Sequence, residues 1–109
     1  MIDFSQIDPV IHEKSRLSIV TLLAGRATPW AFQELRDELD MSDGNLITHL
    51  RSLEQAGYVT ARKDPGPGRP RTAYHLTPIG ATAFDAYLKV LALIVAMPKP
   101  GKKNSRGKK

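Results

Sequence analysis

Cysteine is absent from the chain, and that excludes disulfides, thiolate metal sites and cysteine nucleophiles together. Aromatic residues are scarce, 6% of the whole, with a single tryptophan. No basic start followed by an apolar run marks a secretory leader behind Met1-Ile2-Asp3-Phe4. The longest uninterrupted apolar run, Val90 to Met97, is far short of the ~20 residues that cross a bilayer as a helix. These absences lead us to expect a cytoplasmic protein with no membrane partner. Also missing are a phosphate-binding glycine loop, a serine–histidine–acid set and any dense titratable cluster, so an enzyme and a bound cofactor are not expected.

What is present suits one small domain: 109 residues, 41% of them hydrophobic. The net charge of +5 is unevenly placed. Six of the sixteen basic residues fall from Lys99 onward, a stretch without an acid, and residues 1–98 hold ten basic against eleven acidic residues. We therefore divide the chain into a folded unit over 1–98 and a disordered basic tail over 99–109. Nucleic-acid affinity in the folded unit must come from local placement of charge, while the tail adds a sequence-independent attraction to phosphates.

The central stretch is Ser42 to Val59. Ser42 can cap a helix by accepting from free first-turn N–H groups, and Gly57 tolerates the left-handed conformation beyond its end. Leu46, Leu50 and Leu53 form a narrow apolar stripe at helical spacing. The opposite face carries Asn45, Thr48, Arg51, Ser52 and Gln55. Such side chains match the donors, acceptors and thymine methyls of a DNA major groove; they equally make an ordinary solvated face. Upstream, Asp8-Pro9 predicts a helix start, with Asp8 as cap, running to about Ala24. Its inner stripe is Val10, Leu17, Val20 and Leu23 or Ala24, widened by Ile11, Ile19 and Leu22. Thr28-Pro29-Trp30-Ala31 breaks the pattern as a short extended segment, and Phe32–Leu39 is a second short helix. Two short helices joined by a tight turn form a helix-turn-helix unit.

After Gly57 the pattern becomes β-prone over 58–63 and again over 72–76, around a proline-rich tip. This predicts a hairpin bearing Arg62, Lys63, Arg69 and Arg71. Thr77-Pro78 starts a last helix whose stripe is Phe84, Tyr87, Leu88, Leu91, Ile94 and Val95. From Val90 onward it is apolar almost all round, which calls for a covering surface. The fold class expected is α+β, mainly α: a winged helix-turn-helix with a C-terminal dimerisation helix.

The runs Asp43-Gly44-Asn45-Leu46-Ile47-Thr48-His49-Leu50-Arg51, Glu54-Gln55-Ala56-Gly57-Tyr58-Val59 and Tyr74-His75-Leu76-Thr77-Pro78-Ile79-Gly80, with the basic tip between them, resemble the compact MarR/ArsR-like winged-helix regulators of prokaryotes over about residues 8–97. The resemblance implies a homodimer on double-stranded DNA, its third helix in the major groove and its hairpin as the wing. Carried over by position, Ser42, Asp43, Gly44, Asn45, Ile47, Thr48 and Arg51 would face DNA, joined by Arg62, Lys63, Arg69 and Arg71 of the wing. Ile47 stands where a small polar residue is common in the family, and either a thymine methyl or the core could receive it. The dimer seam expected is Ile11, Phe84, Tyr87, Leu88, Leu91, Ile94 and Val95. A thiolate metal sensor of the ArsR kind is excluded by the missing cysteines, and a small-molecule effector is not specified by these residues.

Gly68-Arg69-Pro70-Arg71 resembles the core of minor-groove hooks, in which an arginine between rigid residues enters a narrow groove; the bland alternative is a solvated loop. His12, His49 and His75 lie on separate elements without metal-ligand spacing, so packing or capping is expected of each. Asp37, Glu38 and Asp40 lack the pattern of a calcium loop. Trp30 is expected in the core under the wing. The reading is a dimeric repressor; a protein–protein adaptor and a non-specific chromosomal protein remain open alternatives.

Overall fold

A computed structural model describes residues 2–64, 67–68 and 71–98; Arg69 and the basic tail, both named above, lie outside them. A 3-10 turn at Phe4–Gln6 precedes α1 (Lys14–Ala24), β1 (Trp30–Ala31), α2 (Phe32–Leu39), α3 (Asp43–Gln55), β2 (Val59–Asp64), β3 (Arg71–Leu76) and α4 (Pro78–Ala96). The three strands form an antiparallel sheet in the order β1-β3-β2. The hairpin is in register from Val59 opposite Leu76 to Asp64 opposite Arg71, and Trp30 of β1 lies opposite Tyr74. The mainly helical winged helix is thus the architecture.

The core gathers one face of each element: Ile19, Val20 and Leu23 of α1, Leu35 of α2, Leu46, Leu50 and Leu53 of α3, then Val59 and Tyr74 from the hairpin. Local chemistry sets most boundaries. Ser42 Oγ accepts from the Asn45 N–H at 3.1 Å and starts α3. Gly57, at φ 81°, turns the chain out of it without a Cβ clash. Asp40 takes the left-handed conformation, φ 54°, that makes the tight turn between α2 and α3. Glu34 reaches back to accept from the Ala31 N–H at 2.9 Å, which gives α2 half of a capping box. Trp30 packs half-buried beside the core, its indole N–H donating to the Leu22 carbonyl at 3.1 Å and the Arg26 guanidinium 4.0 Å above its ring.

Three expectations need correction. The first helix begins at Lys14, capped by Glu13 rather than Asp8. Asp8 does cap: its Oδ1 accepts from the Val10 and Ile11 N–H groups at 2.8 and 3.3 Å. That turn goes no further, because Ile11 is drawn fully inside and Glu13 is extended at φ −151°, ψ 136°. Next, Ile11 and Tyr87, expected at a dimer seam, are 0% and 2% exposed within the single chain and have no open surface to offer. On α4 the inward residues are Gly80, Tyr87 and Val90, so Val90 lies inside although the periodicity put it off the stripe. Finally, α4 has 19 residues, and an 18-residue window of it has a mean hydropathy of 1.7, long and apolar enough by composition to cross a bilayer; counting only uninterrupted apolar residues hid this. A helix packed in a globular domain can meet the same measure.

Candidate nucleic-acid interface

Helix α3 sits with its leucine stripe fully buried and its other face open. Ser42, Asp43, Gly44, Asn45, Thr48 and Arg51 are all exposed. The first turn is bare around Gly44, where an added Cβ would meet nothing within 4 Å. Thr48 spends its hydroxyl hydrogen on the Gly44 carbonyl at 2.8 Å, so outward it presents a methyl and oxygen lone pairs. Ile47 is half-buried. It lines a cleft of about 650 Å3 between the helix-turn-helix and the wing, together with Phe32, Gln33, Pro67, Arg71 and Tyr74. It belongs to the rim beside the outer face and not to the leucine core.

Asp43 is the one acid on this face, and it does not stand alone: Arg36 of α2 donates to its Oδ1 from Nη1 at 3.0 Å. The pair offsets a charge that phosphates would repel. Arg36 also lies 3.4 Å from Asp37. This partner was not legible from spacing, since it depends on how α2 meets α3.

The basic residues divide into two groups. Arg16, Arg26, Arg36 and Lys89 each form an ion pair with an acid. Arg51, on the open face of α3, and Arg62, Lys63 and Arg71, on the hairpin, are exposed and make no ion pair among the described residues; Lys14 at the start of α1 is the other such cation. Among the described residues, the cations without an ion pair are thus concentrated on α3 and the hairpin. Arg71 lines the same cleft as Ile47, which brings wing and helix together as one surface.

No group of three or more histidine, cysteine or acidic side chains that could hold a metal occurs among the described residues. Two of the histidines meet polar neighbours. His12 Nδ1 lies 2.8 Å from the Tyr87 hydroxyl, and His49 Nδ1 lies 3.3 Å from Arg16 Nη1 and 3.7 Å from Glu13 Oε1. Burial raises the Glu13 carboxyl, but the Arg16 and Ser15 N–H groups and the charges of His49 and Arg16 outweigh it and hold the group below its usual range.

Tyr58, just after α3, donates its hydroxyl to Asp8 Oδ2 at 2.5 Å. That bond, then burial and the Asp8 charge, push the phenol from 10.0 to about 12. Because the folded pKa is raised, the bond's stabilisation is complete below pH 10 and is lost as pH rises through about 12. An alkaline titration followed by phenolate absorbance should show a late tyrosine step at about pH 12. Tyr58→Phe should remove it and Asp8→Asn should move it toward the ordinary value. A Tyr58 step unmoved by Asp8→Asn would contradict the bond.

An open polar helix face, an adjoining basic hairpin and a leucine-anchored helix-turn-helix define a DNA-binding winged helix. The chain matches the family described as winged helix DNA-binding domain over residues 15–95 and belongs to it. It is 37% identical over 79 residues to an uncharacterised protein of Methanocaldococcus jannaschii, an alignment covering 72% of this chain and 85% of that one. A transcriptional regulator homologue from Pyrococcus horikoshii is similar in structure, with a TM-score of 0.75 and 29% identity over 84% of this chain and 91% of that one. So is a protein of Enterococcus faecalis assigned to the MarR family of transcriptional regulators, with a TM-score of 0.71 and 27% identity, covering 89% of this chain and 84% of that one. The protein is a winged-helix DNA-binding transcriptional regulator.

Proposed function

We propose that the protein is a cytoplasmic homodimer that binds a two-fold operator sequence-specifically and represses by occluding a promoter. The observation that carries this is the division of the cations: among the described residues, those without an ion pair lie mainly on α3 and the hairpin. In this reading Asn45, Thr48 and Arg51 reach base edges, Ile47 packs on a thymine methyl, and Ser42, Asp43 and Gly44 bring the first turn close to the backbone. Arg62, Lys63, Arg69 and Arg71 hold the flanking phosphates and minor groove. The seam is the flank of α4 bearing Phe84, Leu88, Leu91, Ile94 and Val95; Leu88 and Val95 are well exposed there. Residues 1–98 act as the folded unit and 99–109 as the basic tail.

Selection of bound sites from random DNA tests the proposal. The expected product is a two-fold motif whose halves are centred about one helical turn apart, or a multiple of it. A protein–protein adaptor would select nothing. A non-specific chromosomal protein would bind without base preference and lose binding when residues 99–109 are removed.

A further inference from the structure

Three elements converge on the short turn ahead of α1, through side chains that belong neither to the DNA face nor to the open flank of α4. At the start of the turn, Asp8 accepts from Tyr58 at the corner between α3 and β2. Near its end, His12 meets the Tyr87 hydroxyl midway along α4 at 2.8 Å. Behind it, Arg16 donates from Nε to the Val10 carbonyl at 2.6 Å, while the same guanidinium lies 3.3 Å from His49 of α3. Ile11 is fully buried in the middle.

Helix α4 is fastened a first time at its own beginning. The Thr77 N–H donates to the Tyr58 carbonyl at 2.9 Å and the Thr77 hydroxyl to the Gly57 carbonyl at 2.6 Å. A rod fastened at one end can still swing. Tyr87 stands ten residues beyond Thr77, about 15 Å along the axis, and a tie at that distance removes the swing. The two ties are connected, because Tyr58 at the pivot is bound to Asp8 and Tyr87 to His12 of the same turn. Helix α3 is referenced to that turn as well, through His49, the neighbour of Thr48.

We infer that the Asp8–Glu13 turn is a strut that sets the angle between α4 and α3, and that His12 and Tyr87 are positioning residues for the spacing of the two half-sites. The inference rests on the reading of the protein as a dimer seamed along α4. In such a dimer a swing of α4 displaces one reading helix from the other and leaves the bases each one contacts unchanged.

The experiment uses the full chain and DNA panels in which half-site spacing and half-site sequence vary independently. Tyr87→Phe keeps the ring that fills the core and removes only the hydroxyl; His12→Ala removes the other partner. Both should stay dimeric with the wild-type base preference. The ratio of affinities between the best spacing and its neighbours should fall about threefold to tenfold, as suits the loss of one hydrogen bond. His12→Gln, which can still bond the hydroxyl, should recover part of that ratio. A merely structural loss would weaken every spacing alike and leave the ratio intact, and that result overturns the strut. So does a change in base preference at constant spacing. A wild-type protein that is monomeric, or indifferent to spacing, overturns the dimer reading first and the strut with it.

Discussion

Replacing Gly80 with alanine should destabilise the fold by about 3 kcal/mol, at the upper end of what overpacking costs. A Cβ at this position would lie 2.1 Å from the Tyr58 carbonyl oxygen and 2.8 and 2.9 Å from its carbonyl carbon and Cα. All three atoms are backbone, so no side chain can rotate out of the way. The first turn of α4 sits directly on the corner after α3, and Thr77 holds it there with two hydrogen bonds. Any shift that admits a methyl group must loosen those bonds. The melting temperature of Gly80→Ala should fall by more than about 10 °C. Gly44→Ala is the control: its Cβ would meet nothing within 4 Å, and helix propensity favours alanine there by about 1 kcal/mol. A Gly80→Ala protein that melts with the wild type would mean that α4 does not rest on Tyr58.

The second large effect concerns the seam. Leu88 is 45% exposed in the single chain, so a glutamate there still reaches water in a monomer, and the monomer should fold. In the proposed dimer the same charge would be buried without a partner, at a cost of about 3 kcal/mol, or roughly a hundredfold in the dimer dissociation constant. Sedimentation across a concentration series should show Leu88→Glu as a folded monomer where the wild type is a dimer. Leu91 is half-buried already and is a poorer probe, because a charge there would also strain the monomer. A Leu88→Glu protein with unchanged self-association would place the seam elsewhere.

The elements that could be read from the residues are those whose ends are chemically local. Ser42 and Gly57 bracket α3, Thr77-Pro78 opens α4, and the tip prolines separate β2 from β3; each signal acts within a few residues of itself. The start of α1 was not legible in the same way. Asp8-Pro9 is a sound helix start, and it does begin a turn, but Tyr58 and Tyr87 claim Asp8 and His12 from far along the chain. A pattern of spacing holds no information about such ties. Burial of Ile11 and Tyr87 follows from the same convergence, which is why a stripe drawn from periodicity put both on a seam. The outward face of α3 was legible because its leucine stripe leaves only one other side. The place of Ile47 was not, since it depends on how closely the hairpin approaches the helix. The pairing of Asp43 with Arg36 likewise waits on the angle between α2 and α3.

In the proposed complex α3 reads bases while the wing reads the flanks. The most direct measurement is binding of the wild type, Thr48→Ala, Arg51→Ala and Arg69→Ala to a DNA panel with core and flanking bases varied independently. Thr48→Ala and Arg51→Ala should each change which core bases are preferred, at about 1–3 kcal/mol where a base contact is lost. Arg69→Ala should keep the core preference and weaken the preference for narrow A·T flanks. Thr48→Ala and Arg51→Ala proteins with every preference intact, beside an Arg69→Ala protein with an altered core, would contradict the assignment of α3 as the reading helix.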